Sequence, residues 1–333
     1  MVLCSCLILS LWRGSFFCSN GPVSLDELRD LLDRHARPDQ HTAIDDLLIS
    51  RVGRSGPPSP SMSGTVLALI AQGAKRLATG DRVYEYRAGQ YLVASVDLPV
   101  TGQFLGIDPD HPALGVGLVL RPTAVAEVLL RAAPGDLPPV GGGAPSGLAV
   151  SDAPPELLDA AVRLVRLLDR PRDATVLAPL VKQEILWLLM TGAHGATVRQ
   201  LGLADSSLSH VARAVRWIRE HYSRAFRVED LARLSGMSVS AFYRNFQAVT
   251  AMSPIQFQKQ IRLQEARLLL ATRPDDVTGV ARQVGYDSPS QFSREYRRRF
   301  GLPPRQDAAR LHGELGQPAP TPRRVPTAAG LLP

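Results

Sequence analysis

A helix-turn-helix pattern occurs twice near the C-terminus of this chain, and this repeat constrains the fold more than any other feature. Val228, Ala232 and Gly236 in the first copy each have an identical counterpart 49 residues later. Past the turn the offset becomes 50, so the second turn is one residue longer. Beyond the turn the matched positions are Phe242, Arg244, Phe246 and Pro254 in the first copy and Phe292, Arg294, Tyr296 and Pro304 in the second.

Each residue type in the repeat has a physical reason for its position. The alanine lets two helices approach closely, and the glycine four residues later can adopt the positive φ that ends a helix in a sharp turn. Ser238 and Ser288 can then cap the next helix by accepting a bond from one of its free N–H groups. The aromatic side chains on that helix are four residues apart, so they share one face, which we predict to be buried.

The opposite face of each second helix has side chains that suit base recognition. They can donate hydrogen bonds and are long enough to reach base edges, and an arginine can bond guanine bidentately in the major groove. A solvated helix surface is the alternative for either copy alone, but two copies in register favour recognition. The side chains on this face are Ser240, Tyr243, Arg244 and Gln247 in the first copy and Ser290, Gln291, Arg294 and Arg298 in the second.

A single helix is predicted between the two units, from Ser253 to Thr272. Ser253 can cap it, Pro254 suits its first turn, and Phe257, Ile261 and Leu268 form one apolar stripe. A helix of roughly 18 residues spans about 27 Å. Because successive major grooves on one face of DNA recur at about 34 Å, two rigidly joined units could enter adjacent grooves.

These segments resemble the AraC/XylS family of transcription regulators from about Val211 to Pro304. The likeness is carried by VEDLARLSGMSVSAFYRNF, SPIQFQKQIRLQEARLLL and VARQVGYDSPSQFSREYRRRFGLPP. The resemblance implies binding to double-stranded DNA, with the base-reading positions on Ser240, Tyr243 and Arg244 in the first unit and on Ser290, Gln291 and Arg294 in the second. One departure is Ala251, which stands where the family usually has glycine and aligns with Gly301, so we expect the first recognition helix to end differently.

The charge distribution supports the same interpretation. Residues 209–305 contain 17 arginines and lysines against 8 aspartates and glutamates, a net charge of +9, while the rest of the chain carries a net charge of −2. Localised positive charge attracts phosphates and makes binding depend on salt. Arg297, Arg298 and Arg299 are the predicted phosphate contacts, with a solvated helix face as the alternative.

The N-terminal part has the composition of an ordinary globular protein, with 45% apolar and 21% charged residues overall. Residues 24–33 and 44–49 are predicted to be helical. From Thr65 onward, short Val- and Tyr-rich runs broken by Gly, Pro and Asp predict a small antiparallel barrel or sandwich. The RAGQ sequence at Arg87–Gln90 is predicted to be a turn between two strands.

The segment from Gln72 to Gln103 is similar to the cupin-like N-terminal domain found in one branch of AraC-type regulators, and this resemblance covers about residues 24–131. It implies a domain that binds a small effector, forms dimers, or does both. The predicted fold class is therefore α+β, with a small N-terminal β-barrel accompanied by helices and an all-α C-terminal domain with two helix-turn-helix units.

A cupin barrel also raises the hypothesis of a metal enzyme. Such a site needs two or three histidines and a carboxylate around one ion, usually with an HxH pair on a strand. The sequence has no HxH, and its 7 histidines are scattered. It also has no phosphate-binding loop and no GxSxG elbow. We therefore predict no catalytic residue, no metal, no cofactor and no enzymatic activity.

Residues 134–155 are rich in Pro, Gly and Ala and are predicted to be an exposed connection. Two helices should follow, at 156–169 and 176–190, each with a leucine-rich stripe. These stripes can pack on each other and on the barrel, and we expect them also to contribute to a dimer interface, with Leu164 and Leu167 at outward positions.

The first twenty residues are interpreted separately, because the apolar run MVLCSCLILSLW contains or adjoins all three cysteines. The run lacks the positive region of a secretory signal and is too short to span a bilayer. We interpret it as a disordered extension or a start site assigned too far upstream. Since no cysteine follows Cys18, the later domains cannot form disulfides or a zinc-thiolate site.

The sequence thus predicts five segments. They are 1–20, the extension; 21–192, a cupin-like sensing and dimerisation domain with connector helices; 193–208, a linker; 209–307, the DNA-binding domain; and 308–333, a disordered tail. The expected function is cytoplasmic, sequence-specific transcription regulation by a homodimer, controlled by an unidentified small molecule, with RNA polymerase as a further partner and no membrane contact. The alternative is a nucleoid-type architectural protein that binds DNA without responding to an effector.

Overall fold

The computed structural model describes residues 25–133, 135–138 and 144–315. The predicted extension at 1–20, with its three cysteines, and residues 316–333 of the predicted tail lie outside the described residues.

The N-terminal domain is built on two antiparallel sheets that face each other. One sheet has the strand order β1-β8-β3-β6-β9 and the other β2-β7-β4-β5. Because the described strands of one sheet do not pair with those of the other, the domain is a sandwich related to the cupin fold and not a closed barrel. The strands are β1 Leu47–Val52, β2 Ser59–Met62, β3 Val66–Gln72, β4 Ala74–Thr79, β5 Arg82–Arg87, β6 Gln90–Ala94, β7 Pro99–Leu105, β8 Ala113–Val119 and β9 Leu148–Asp152.

Turn residues mark the ends of the strands, and side chains alternate between buried and exposed along them, as the sequence predicts. The predicted turn between Arg87 and Gln90 is confirmed, since β5 ends and β6 begins there, and Gly89 adopts a φ of +81°. In β4 the side chains alternate, with Leu77 and Thr79 buried and Arg76 exposed. This alternation places every second residue between the two sheets.

The helix predicted at 24–33 is confirmed as α1, Leu25–His35, but the helix predicted at 44–49 is wrong. That segment leads into strand β1, which pairs along its whole length with β8. A short apolar run fits either a helix or a buried strand, and here the neighbouring strand supplies the hydrogen bonds that decide the outcome.

The predicted connection at 134–155 is also partly wrong, because it contains a strand. Leu148–Asp152 forms β9, which pairs in antiparallel register with β6 and adds the outer strand of the five-stranded sheet. Five residues are too few to show a clear alternation of apolar and polar side chains, so the sequence does not reveal the strand and its pairing with β6 defines it.

Besides α1, four α-helices of the described residues accompany the sheets. They are α2 Pro122–Arg131, α3 Pro155–Arg166 continued by a 3-10 turn at Leu167–Asp169, α4 Pro171–Thr191 and α5 Gly195–Gly202. The expectation that Leu164 and Leu167 point outward is wrong: they are 1% and 7% exposed, because α3 packs against both α1 and α4.

Exposed apolar residues lie instead on α4, at Val176, Leu177 and Leu180. Within the described part of the chain, α4 is also the one helix whose length and composition would allow it to cross a membrane. Its other face packs in the core through Ile185 and Leu189, as expected for a core helix of a globular domain.

Two segments outside the predicted domains are helical. The predicted linker at 193–208 contains α5, which packs against α2 with Gly202 close to Ala126. The predicted tail begins inside α12, Pro304–Leu315, which packs on α9 and contains the buried Ala308. The prediction of disorder is therefore wrong for residues 308–315, because α9 gives the first part of the tail a packing surface.

The C-terminal domain is entirely helical in its described residues. Besides α12 it comprises α6 Ser207–Glu220, α7 Val228–Leu234, α8 Val239–Thr250, α9 Pro254–Thr272, α10 Val277–Gln283 and α11 Pro289–Phe300. The core around α7 and α8 is continuous with the core of the N-terminal domain, whereas α10 and α11 enclose a separate hydrophobic cluster with α9 and α12.

Candidate DNA interface

The two helix-turn-helix units have the local geometry that the repeat predicts. Gly236 and Gly285 follow α7 and α10 with φ angles of +67° and +89°, and each lies in the tight turn before the next helix. Ser238 and Ser288 accept hydrogen bonds from the backbone N–H groups of Ala241 and Gln291. These caps fix where each recognition helix, α8 or α11, begins.

Burial confirms which face of each recognition helix is internal. Phe242, Phe246, Phe292 and Tyr296 are all 0% exposed, and the two aromatic rings of each pair lie 5.4 Å apart. The aromatic pairs anchor both recognition helices by one side, so the opposite side is left for solvent or a partner.

The six predicted base-reading residues all lie on the exposed faces of α8 and α11. Gln291 donates a hydrogen bond to Glu295 at 3.2 Å. Neither Arg244 nor Arg294 has a hydrogen-bond or ion-pair partner among the described residues, so both guanidinium groups keep all their donors for a ligand.

The three predicted phosphate contacts fall into two environments. Arg297 and Arg298 are exposed at the end of α11. Arg299 is half-buried and donates a hydrogen bond to Thr101 of strand β7 at 2.7 Å. Burial lowers the pKa of Arg299 from its ordinary value. In this arrangement Arg299 faces the N-terminal domain.

The connector predicted between the units is confirmed as α9, with 19 residues and therefore a length of about 28 Å. Ser253 and Gln256 form a reciprocal capping box at its start. The predicted apolar stripe is wrong at Leu268, which is 66% exposed, whereas Gln264 is buried. Because α9 packs against both units and β7, its buried surface does not follow a single stripe.

Arg262 on α9 joins the two units directly. Its guanidinium donates to the carbonyl oxygens of Tyr222, Ser223 and Arg224 beside the first unit and to that of Gly285 in the turn of the second. A side chain at Gly285 would collide with the carbonyl of Ser223, so glycine also permits this close approach. The sequence offers no signal for Arg262, because an arginine on an amphipathic helix is usually solvated.

A buried carboxylate, also missed from the sequence, attaches α12 to the second unit. Asp307 is 0% exposed and accepts bonds from Arg267 at 2.8 Å, Arg310 at 2.8 Å and the hydroxyl of Tyr296 at 2.9 Å. Burial raises the pKa of Asp307, but these bonds outweigh burial and the pKa lies below its ordinary value. The recognition helix α11 is therefore held from behind through Tyr296.

Ala251 ends α8 in the left-handed conformation, with a φ of +58°, as Gly301 ends α11 with a φ of +81°. The expectation that the first recognition helix ends differently is therefore wrong. An alanine in this conformation is disfavoured by roughly 1–2 kcal/mol. Its carbonyl lies against Gly80 of the N-terminal domain, where any side chain would collide with it.

A second candidate site is a cavity of about 460 Å³ between the two sheets. Small residues on the inner face of the five-stranded sheet leave this space, since Ala68 lies opposite Gly117 and Ser50 opposite Gly115. Ligand pockets of about 300–1,000 Å³ are typical for small molecules. Across the described residues, no three His, Cys, Asp or Glu side chains are grouped to hold a metal ion.

Two family models match the chain. A model described as the AraC-type transcriptional regulator N-terminus matches residues 43–197, and one described as a helix-turn-helix domain matches residues 231–310. The first match lies within the N-terminal domain of the structure and the second within the C-terminal domain.

Curated relatives and a solved structure agree with these matches. The chain is 29% identical over 167 residues to the virulence regulon transcriptional activator VirF of Yersinia enterocolitica, covering 49% of this chain and 59% of that protein. It is 30% identical over 129 residues to the regulator ExsA of Pseudomonas aeruginosa, covering 39% of this chain and 46% of that protein. The chain thus spans about half the length of these relatives.

The fold is similar to that of ToxT from Vibrio cholerae, solved with a bound unsaturated fatty acid, with a TM-score of 0.50 and 12% identity over 80% of this chain and 95% of that one. At this identity the likeness concerns the fold alone. Together the two family models match most of the N-terminal domain and the part of the C-terminal domain that contains both helix-turn-helix units. The chain belongs to the AraC family of transcriptional regulators.

Proposed function

We propose that this protein is a transcription regulator that binds double-stranded DNA in a sequence-specific manner through α8 and α11. The observation that carries the proposal is the pair of exposed, donor-rich faces on two recognition helices whose opposite faces are fully buried. The Arg262 contacts and the length of α9 support entry of both helices into successive major-groove segments on one side of the duplex.

A small molecule in the cavity between the sheets controls this activity. The cavity lies in the domain that matches the AraC-type N-terminus, and ToxT, which has a similar fold, was solved with a small molecule bound. A ligand that binds one arrangement of the two domains better than another shifts the equilibrium between them by its difference in affinity.

The active form is a cytoplasmic homodimer that also contacts RNA polymerase. Val176, Leu177 and Leu180 give α4 an exposed apolar surface on which a second copy can pack. No enzymatic activity belongs to this proposal, because DNA binding and effector binding account for both candidate sites.

Selection of binding sites from random DNA by the purified protein, followed by footprinting, tests the proposal. We expect one preferred sequence and two protected segments whose centres are about 10 base pairs apart on one face. Competition with bulk DNA should leave binding to that sequence largely intact. Protection at no particular sequence, with full competition by bulk DNA, would refute the proposal and favour an architectural DNA-binding protein.

A further inference from the structure

The cavity between the two sheets contains a single charged side chain. Lys75 on β4 lines the cavity and is half-buried. Its direct neighbours in register are Tyr86 on β5 and Phe104 on β7, so the three side chains form one row across the sheet. The Lys75 ammonium lies 4.9 Å from the centre of the Phe104 ring.

The ammonium of Lys75 has no anionic partner in the described part of the chain. No carboxylate lies within ion-pair distance of it, and no aspartate or glutamate lines the cavity. Burial lowers the pKa of Lys75 from its ordinary value, because an unpaired charge is poorly solvated there. The neighbouring residue Arg76, in contrast, points to the outer face and pairs with Glu85 at 2.9 Å.

A second polar group in the same row is the hydroxyl of Tyr86. Tyr86 is 1% exposed, and its hydroxyl has no hydrogen-bond partner among the described residues. Burial raises the pKa of Tyr86 further above its ordinary value, so the hydroxyl is a neutral donor. Because the Tyr86 side chain lines the cavity, this donor is available to a molecule bound there.

The remaining wall is mainly apolar. Leu48, Val66, Ile70 and Met62 line it, together with the small residues that create the space. A ligand body in contact with these side chains is stabilised by burial of apolar surface, at about 25 cal/mol per Å². Neutral polar side chains, among them Gln40, Ser50 and Ser63, also line the cavity, but Lys75 is the charged residue of the described lining.

We propose that this cavity binds an organic monocarboxylate with an apolar body, its carboxylate accepting hydrogen bonds from the Lys75 ammonium and the Tyr86 hydroxyl. This inference rests on the proposed function for its regulatory meaning, since it names the chemical class of the effector. One ammonium balances one negative charge. A dianion would leave a buried charge unpaired, and a cation would be repelled.

Titration calorimetry of the full chain with decanoate and with 1-decanol tests the proposal, because the two probes share an apolar body and differ in charge. We expect the wild type to bind decanoate roughly tenfold to a hundredfold more tightly than decanol. Lys75→Met should abolish this preference and retain decanol binding. Arg76→Met is the matched control on the other face of the same strand and should keep the preference.

The cavity-filling variant Ala68→Leu tests whether both probes bind in this cavity. It should lose affinity for both probes, with its secondary structure checked by circular dichroism. Equal affinities of the wild type for decanoate and decanol, a preference that survives in Lys75→Met, or unchanged decanoate binding by Ala68→Leu would each overturn the inference. The proposed function is tested separately, by the selectivity of the same wild-type preparation for its preferred DNA over bulk DNA. Failure of the carboxylate proposal is therefore distinguishable from failure of the proposed DNA binding.

Discussion

At the level of single residues, the arginines of the C-terminal domain have different roles, and a count of charges does not distinguish them. Arg294 on α11 is exposed and has no partner among the described residues, whereas Arg262 and Arg267 on α9 are bound to internal carbonyls and to Asp307. The net charge of +9 over residues 209–305 therefore overstates the positive charge that is available to contact DNA. Among the described residues, the arginines whose side chains lack a hydrogen-bond or ion-pair partner include Arg244 on α8 and Arg294, Arg297 and Arg298 on α11.

Arg294→Ala tests whether the exposed face of α11 reads bases. We expect a loss of about 1–3 kcal/mol on the preferred sequence and relaxed discrimination at one base pair, because a bidentate contact to guanine is removed. Arg297→Ala is the control and should weaken binding to all sequences about equally. Fluorescence anisotropy with the preferred site and its single-base variants measures both. A uniform loss for Arg294→Ala would instead identify Arg294 as a phosphate contact.

At the scale of helices and strands, local chemistry predicts some elements and packing decides others. The helix-turn-helix turns are predictable because Gly236, Gly285 and the serine caps act within a few residues. Strand β9 and helix α12 are missed because each depends on a distant partner, β6 or α9. The exposed faces of α8 and α11 could be predicted from the repeat. The sequence does not single out Lys75, because its neighbours Tyr86 and Phe104 come from other strands of the sheet.

Arg262→Met tests whether α9 fixes the relative position of the two units. The variant retains an apolar stem but removes the side-chain donors to the Ser223 and Gly285 carbonyls, whereas Gln258 still donates to the carbonyl of Tyr222. Leaving the Ser223 and Gly285 carbonyls without partners should lower the free energy of unfolding by about 1–3 kcal/mol. We also expect affinity for the complete DNA site to fall by more than affinity for a half-site.

Urea denaturation and DNA titrations measure the two effects of Arg262→Met. Leu268→Gln changes an exposed residue of the same helix and should affect neither quantity. If folded Arg262→Met protein binds the complete site as tightly as the wild type, α9 does not set the spacing through this contact.

At the scale of the whole molecule, the N-terminal domain holds both helix-turn-helix units. The backbone N–H of Gly147 donates to the carbonyl of Val249 at the end of α8, at 2.9 Å. Asp97 pairs with Arg219 of α6, and Gln264 of α9 donates to the carbonyl of Ser61 on β2, a strand that also lines the cavity. No sequence pattern within either domain predicts these contacts, because they exist only where the two domains meet.

Gly147→Ala tests whether this docking restrains DNA binding. A Cβ at this position would lie 2.5 Å from the Val249 carbonyl, so Gly147 and α8 must separate, and we expect the docking of the two domains to loosen and the Arg299–Thr101 contact to open. Because Arg299 then becomes free to reach a phosphate, we expect tighter DNA binding and a slope of log K against log salt that is steeper by about 0.9. Gly56→Ala, at a glycine with open space around it, is the matched control and should leave both quantities unchanged. An unaltered affinity and slope in Gly147→Ala, with protease digestion showing that the domains have separated, would mean that the docked arrangement already presents its full DNA-binding surface.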